Sequence, residues 1–338
     1  MKFYLAILIF IVAVAIADQD DDLWKSYKKK FGKRYKPEKE IVRKKKFVKK
    51  LRAIEKNNRE NKKWQMGQNK FTDFTDDEKK VLRGTKMSKR VPKTIENNET
   101  IIIDSLLKRA LPTSIDYRRW KCLQPVKDQG QCGSCWSFAA NTALEFSQCR
   151  KTGTAVSLSE QMAVDCDSYN LGCNGGDFTL AWQYIQEKGG AMISSSYPYV
   201  SGTTQTNGTC KFNNSAIGAK ISFYDWTMPY PNATVSMTYL VNYGPLPTAM
   251  KVLDSLFDYV SGVYSDPACI VANDYDIDHA VVIVGYGTTA ATSTVPAIPY
   301  WIVRNSWGAN WGNKGYFLIQ RGVNMCNIES WTAYVKVV

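Results

Sequence analysis

The sequence predicts an α+β chain: a basic helical front segment, then a lobe of helices, then a lobe rich in strands. Three observations lead there. Before residue 60, stripe residues recur every three or four positions, first Trp24, Tyr27, Phe31 and Tyr35, then Phe47, Leu51, Ile54 and Asn58, which is the period of one helix face. Trp136, Ala139, Ala140, Ala143 and Leu144 repeat that spacing and predict a buried helix. Later the texture changes to short apolar runs between turn residues, AVVIVGYG (280–287), YWIVRNSWG (300–308) and GYFLIQRG (315–322), which read as strands.

Taken in order, residues 1–17 begin with a lysine at position 2, continue as an apolar run from Phe3 and end in Ala15-Ile16-Ala17. That order is a secretory signal peptide cleaved before Asp18. A transmembrane anchor is the other reading, but the run is short for the roughly 20 residues that span a bilayer. The product is expected to be soluble, with no membrane partner, in the secretory pathway and then outside the cell or in a lysosome-like compartment. Residues 18–110 hold 29 Lys+Arg against 15 Asp+Glu, a balance of +14. Residues 111–338 hold 14 against 16, a balance of −2. The net charge of +13 therefore sits on a segment without cysteine. A nucleic-acid binder carries its basic patch on the working domain, so nucleic acid is not expected as a partner. The front segment needs a surface to cover its helical stripes. Beyond Arg83 polar residues dominate, with Lys108 and Arg109 near the end, and this stretch is expected to be extended and exposed.

From residue 111 the remaining length can bury a full core in two lobes. All nine cysteines fall there, and an odd number in an exported chain leaves at least one unpaired. In DQGQCGSCWSFAAN (128–141), a helix starting near Ser134 puts Cys135 in its first turn. Unpaired N–H groups and the helix dipole favour an anion there, which makes Cys135 the candidate nucleophilic thiolate. A plain Cys132–Cys135 redox or disulfide pair is the other reading. The base would be His279, the single histidine, at the entrance of a predicted strand. Asn305 could orient that ring, with Trp307 shielding the contact. The Gln129 amide and the Cys135 backbone N–H could form an oxyanion hole. One histidine leaves too few ligands for a metal site, and no cofactor is expected. Sequons at Asn98, Asn207, Asn213 and Asn232 agree with export and are candidate glycosylation sites.

Several blocks, in order, resemble the papain-like cysteine proteases, in particular the cathepsin L-like subgroup: LPTSIDYR, QGQCGSCWSFA, SLSEQMAVDC, GCNGGDF, DHAVVIVGYG and RNSWGANWGNKGY. In the front segment Arg43, Phe47, Ile54 and Asn58 match the helical prosegment pattern abbreviated ERFNIN, while Lys39 and Lys50 depart from it. GQNKFTD (67–73) resembles the second prosegment motif. The resemblance implies a papain-like two-lobed fold with the cleft between a helical lobe (about 111–220) and a β-barrel-like lobe (about 221–338). It also implies that residues 18–110 fold onto the enzyme as its own inhibitor. Their charge suggests docking that loosens as carboxylates protonate in acid.

By the same resemblance, Cys132 pairs with Cys173, Cys166 with Cys210 and Cys269 with Cys326, leaving Cys122 and Cys149 to pair by exclusion. Gly133, Gly175, Gly176 and Trp307 are implied to line the substrate groove. Phe178, Ala249, Ala280 and Trp331 are implied to form the pocket for the residue before the scissile one, hydrophobic and made shallow by Trp331. The expected activity is that of a monomeric endopeptidase on protein and peptide substrates, since no second histidine supports an exopeptidase loop. A catalytically silent binding protein and a peptidyl transferase on the same scaffold are the rival readings. Two departures stand out: the long spacing from His279 to Asn305, assigned to a surface hairpin in TTAATSTVPAI, and Asn327 where glycine is common.

Overall fold

The computed structural model describes residues 18–88, 109–269 and 273–338. The expected signal peptide (1–17), Asn98 and Lys108 lie outside them.

The front segment is built on two helices, α1 (18–30) and α2 (Pro37–Glu60). Gly32, at φ 62°, ends the first, and a proline in the first turn starts the second. The first stripe is therefore not one continuous helix: Phe31 and Tyr35 lie past the end of α1. They still close over the buried cluster of Trp24, Tyr27, Phe47 and Leu51. A strand the sequence did not announce, β1 (Trp64–Met66), follows. Helix α3 (Asp76–Val81) is started by a reciprocal capping box between Thr75 and Glu78. Arg43 of α2 forms a bidentate pair with that Glu78 and so ties the two helices together. Of the stretch after Arg83, the described residues 84–88 form no helix or named strand, as expected of an extended segment, but Gly84 and Thr85 are buried rather than exposed, because they lie in a cleft of the main body.

The main body opens with β2 (Ile115–Asp116) and the long α4 (Cys135–Thr152). Helix α4 is buried from Cys135 to Phe146 on every side, as befits a helix with little polar face, and Gly153 at φ 74° ends it. Helices α5 (Glu160–Cys166) and α6 (Phe178–Glu187) follow, capped by Ser159 and Asp177. Strands β3 (Ala191–Met192), β4 (Ile217–Ala219) and β5 (Ile221–Trp226) flank a single turn, α7 (Ser201–Thr204). Helix α8 (Ala233–Tyr243) leads into β6 (Leu246–Met250), β7 (Tyr259–Tyr264), β8 (His279–Thr288), β9 (Pro299–Arg304), β10 (Tyr316–Gln320) and β11 (Ala333–Val337).

The main sheet runs β1-β7-β10-β9-β8-β2, with β6 also paired to β8. The division into an early helical and a late β-rich lobe is crossed at both ends. Early β2 joins the late sheet, and late β11 pairs with β5 and lies against α4. Strand β9 stops at Arg304, short of the predicted 300–308 run. Residues 305–308 instead turn away, with Gly308 at φ 80°, and carry their side chains into the cleft. The β8–β9 connection (289–298) closes as an exposed hairpin through Thr289 N–H donating to the Ile298 carbonyl at 3.0 Å. Asn327 adopts φ 63°, a left-handed conformation that asparagine tolerates, and its amide donates to the Asn273 carbonyl at 2.9 Å. Disulfides join Cys122–Cys149, Cys132–Cys173, Cys166–Cys210 and Cys269–Cys326; Cys135 is the free thiol.

Candidate active site

Cys135 is the first residue of α4. Ser134 before it does not cap the helix, because its Oγ is engaged by the Tyr199 hydroxyl at 2.7 Å. The first-turn N–H groups are thus left to favour an anion at Cys135. His279 begins β8, and β9 lies beside it with Val282 opposite Arg304. The residue after Arg304 is therefore delivered to the imidazole: Asn305 Oδ1 lies 2.8 Å from His279 Nε2. The same Oδ1 accepts the Ser306 backbone N–H at 2.8 Å, which makes it the acceptor and places the ring proton on Nε2. Trp307 covers the pair, its ring 4.9 Å from the imidazole and fully buried.

Burial by itself would push the Cys135 thiol up. The positive imidazole beside it outweighs that, aided by Thr85 and the Ala280 N–H, and the thiol lies below its ordinary range. Burial likewise opposes charge on His279, but the thiolate and then Asn305 outweigh it, and the imidazole is raised. Nδ1 closes no hydrogen bond of normal geometry, so thiol and ring act on each other chiefly as charges.

Gln129 is held from the same short segment. Its Oε1 accepts the Ser306 hydroxyl at 2.7 Å, and its backbone N–H donates to the Ser306 carbonyl at 2.8 Å. Its Nε2 donates to the Cys132 carbonyl at 2.9 Å and to the Leu82 carbonyl of the front segment at 3.2 Å. Tyr199 donates to the Gln129 carbonyl at 2.8 Å. Residues 305 and 306 thus orient the imidazole and the amide together.

The front segment fills the cleft as an extra strand. Gly176 N–H donates to the Gly84 carbonyl at 2.8 Å, Lys86 N–H to the Gly176 carbonyl at 2.9 Å and Thr85 N–H to the Asp278 carbonyl at 3.0 Å. A Cβ on Gly84 would stand 1.9 Å from the Gly133 carbonyl oxygen, and a Cβ on Gly175 would stand 2.4 Å from the Gly84 carbonyl oxygen. Of the expected pocket residues, Ala249 and Ala280 face each other across β6 and β8. Phe178 and Trp331 meet through Trp226, with ring centroids 5.8 and 5.6 Å apart. Trp226, Thr85, Asp177, Ser306 and Tyr199 escaped the sequence reading. Only Asp177, inside GCNGGDF, and Ser306, beside Asn305, stood within motifs that could have suggested them.

Below the cleft, Phe71 of the front segment meets Trp307 and Phe257 edge-on at 5.5 and 5.8 Å. Asn69 donates to the Phe257 carbonyl at 2.7 Å, and Thr72 donates to Asp258 at 3.1 Å. Lys50, one of the two departures from the helical pattern, reaches Asp254 at 2.7 Å and Asp258 at 3.0 Å. Lys79 also pairs with Asp254.

A free thiol at a helix start, an imidazole beside it and an amide behind the imidazole, all covered by the chain's own front segment, define a thiol peptidase in latent form. The comparisons agree with that class. Residues 111–336 match the papain family cysteine protease profile, and residues 24–78 match the cathepsin propeptide inhibitor domain (I29). The chain belongs to the papain family of cysteine proteases. It is 35% identical over 352 residues to a cathepsin L-like peptidase of Aedes aegypti, covering 100% of both chains. It is 35% identical over 350 residues to human cathepsin L2, again covering 100% of both. Its fold matches digestive procathepsin L2 from the Tenebrio molitor larval midgut with a TM-score of 0.84 at 31% identity, covering 94% of this chain and 99% of that one. The protein is a cathepsin L-like precursor, a cysteine-type peptidase with its inhibitory prosegment in place.

Proposed function

We propose that the mature chain is a monomeric cysteine endopeptidase of the secretory pathway, acting outside the cell or in a lysosome-like compartment. Cys135 Sγ attacks the scissile carbonyl carbon, and the oxygen's developing charge is taken by Gln129 Nε2 and the Cys135 backbone N–H. His279 gives its Nδ1 proton to the leaving amine, forming the acyl-enzyme. Water then attacks the thioester while His279 takes its proton, and the carboxylic acid leaves as the thiol is released. Asn305 holds the ring in the tautomer this needs. The observation that carries the reading is the 2.8 Å contact between His279 Nε2 and Asn305 Oδ1 beside a thiol left out of all four disulfides.

Gly133, Gly175, Gly176 and Trp307 would border the substrate backbone. Phe178, Ala249, Ala280 and Trp331 would receive a hydrophobic side chain before the scissile residue, a choice their apolar burial supports. Asn207, Asn213 and Asn232 are exposed, which suits glycosylation. The deciding experiment acidifies the purified precursor in the presence of an epoxide thiol trap. One adduct on Cys135, appearing only as the prosegment is lost, supports the reading. A Cys135 that stays unreactive after that loss favours the silent binding protein, and transferred rather than hydrolysed peptide favours the transferase.

A further inference from the structure

Gln129 and Ser134 lie on the loop that leads into α4, and one phenol joins them. Tyr199 donates its hydroxyl proton to the Gln129 carbonyl at 2.8 Å, and the Ser134 hydroxyl lies 2.7 Å from the same phenol oxygen. A phenol has one proton and a carbonyl only accepts, so Ser134 must donate to Tyr199. The result is a directed relay, from Ser134 to Tyr199 to the Gln129 carbonyl. Its two ends flank the two oxyanion donors proposed above, the Gln129 side-chain amide and the Cys135 backbone N–H beside Ser134. Gln129 and Ser134 are both wholly buried, so water is a poor substitute at either end. Tyr199 is itself held in place. Its ring meets Phe138 of α4 edge-on, with centroids 4.9 Å apart. Just past it, Gln161 Oε1 accepts the Val200 N–H at 2.8 Å and the Ser201 N–H at 3.0 Å. Gly202 closes the brace: its carbonyl accepts the Gln131 N–H at 2.9 Å. A Cβ on Gly202 would stand 2.8 Å from the Gln129 carbonyl oxygen and 3.0 Å from the Tyr199 ring.

We propose that Tyr199 is a positioning residue for the reaction: it fixes the spacing between the Gln129 amide and the Cys135 N–H, so that both meet one oxygen. The inference rests on the oxyanion role given to these donors under the peptidase reading, and its test separates the two. Donors set in advance cost no reorganisation as charge develops, and a small displacement of either one loses much of the stabilisation. The amide end is already set in the precursor, where Gln129 Nε2 donates to the Leu82 carbonyl at 3.2 Å. Tyr199 acts through Gln129 and Ser134, not through the thiol or the imidazole.

The acid-matured enzyme is assayed after its active fraction is counted by titrating Cys135 with the epoxide. The readouts are peptide turnover, binding of a peptide aldehyde and the pH profile of Cys135 alkylation by iodoacetamide. The sulfur adds to the aldehyde carbon and leaves the former carbonyl oxygen at the donors, so aldehyde binding reports the oxyanion site without any bond being cut. Alkylation only displaces iodide and builds no charge on a carbonyl oxygen. In Tyr199→Phe, kcat and aldehyde binding each fall about tenfold while KM stays within about twofold. Ser134→Ala breaks the relay from its other end and leaves no hydroxyl to cap α4. There kcat and aldehyde binding fall by about threefold or more, and alkylation keeps its wild-type profile. Added to Gln129→Ala, Tyr199→Phe costs no more than about a further twofold, because the amide it positions is gone. Unchanged kcat and aldehyde binding in both single variants overturns the assignment. So does a full further tenfold loss on top of Gln129→Ala, or an alkylation profile that moves in Ser134→Ala, since Tyr199 would then support the site as a whole. In all of these cases Gln129→Ala still weakens aldehyde binding. Aldehyde binding unchanged in Gln129→Ala overturns the oxyanion reading, and the inference with it.

Discussion

Thr85 Oγ1 lies 3.3 Å from Cys135 Sγ. The prosegment therefore presents a hydroxyl, not a carbonyl carbon, to the sulfur. The carbonyl at the Gln129 amide belongs to Leu82, three residues earlier. The proposed nucleophile and the proposed oxyanion donor are occupied by different residues, so no single peptide bond is offered to both, and the prosegment can sit in the cleft without being cut there.

That seating depends on Gly84. Replacing it by alanine sets a methyl 1.9 Å from the Gly133 carbonyl oxygen, where no flexible side chain can yield. Overpacking of this kind costs about 1–3 kcal/mol. Gly84→Ala should let an epoxide label Cys135 in the intact precursor at neutral pH at least about tenfold faster than in the wild type. Equal labelling rates would show that the strand is not held there.

Because His279 depresses the thiol and the thiolate raises His279, the mature enzyme should be alkylated at Cys135 at pH values well below those at which ordinary thiols react. In His279→Ala the burial remains without the compensating charge, so the alkylation profile moves to higher pH. Peptide turnover should fall by about 10²–10⁴. A profile that stays in place would remove His279 from the site.

Gln129→Ala should lower kcat by about 10²–10³ with little change in KM, since the amide acts on charge that develops in the transition state. Steady-state kinetics on one peptide suffices. A loss confined to KM would make Gln129 a ground-state contact.

The ionic contacts between prosegment and enzyme titrate in a definite direction. Burial would raise the Asp254 carboxyl, but Lys50 and Lys79 hold it down at about 2, against an ordinary value of 3.8. A carboxylate lowered in the docked state stabilises docking above its free value and loses that contribution as pH falls toward the docked value. The Asp254 share is thus complete above about pH 4 and lost between there and about 2. Processing rate followed against pH should rise steeply in that window, and Asp254→Asn should flatten the rise while speeding processing at higher pH. Salt should act in the same sense. A variant with the wild-type profile would place the acid trigger elsewhere.

The bridge between Cys122 and Cys149 closes a separation of 27 residues. Removing both cysteines should destabilise the folded protein by about 3.5 kcal/mol in the loop-entropy account. For a domain of this size that is roughly 7–14 °C in Tm, read by calorimetry on the double alanine variant.

The candidate site was legible where its chemistry is local in sequence. Cys135 at a helix start and the lone His279 before a strand could be read from a few neighbouring letters, and so could Asn305 in its tryptophan-rich run. What escaped is assembled across the fold. Trp226 joins Phe178 to Trp331 only because β5 pairs with β11, a contact between residues more than a hundred positions apart. Ser306 reads as an ordinary polar residue until its hydroxyl is seen to steady Gln129. The residues after Arg83 looked solvated because their composition is polar, yet Gly84 and Thr85 are buried by the glycines they lie against. Both lobes were anticipated from periodicity, while the crossing of β2 and β11 was not, since two- and five-residue strands carry too little pattern to declare their partners.

Strand β1 pairs with β7 on the outer side of the main sheet, Trp64 opposite Gly262 and Met66 opposite Tyr259. Cutting away the prosegment therefore does more than empty a cleft, because it strips the outermost strand from a finished sheet. The liberated enzyme carries a raw border of main-chain donors and acceptors along β7, a seam that other extended chains can stitch onto. Gly262, at φ 84°, and the irregular register beside it twist that seam and blunt it. Ripening thus leaves the enzyme with a border that its precursor kept covered.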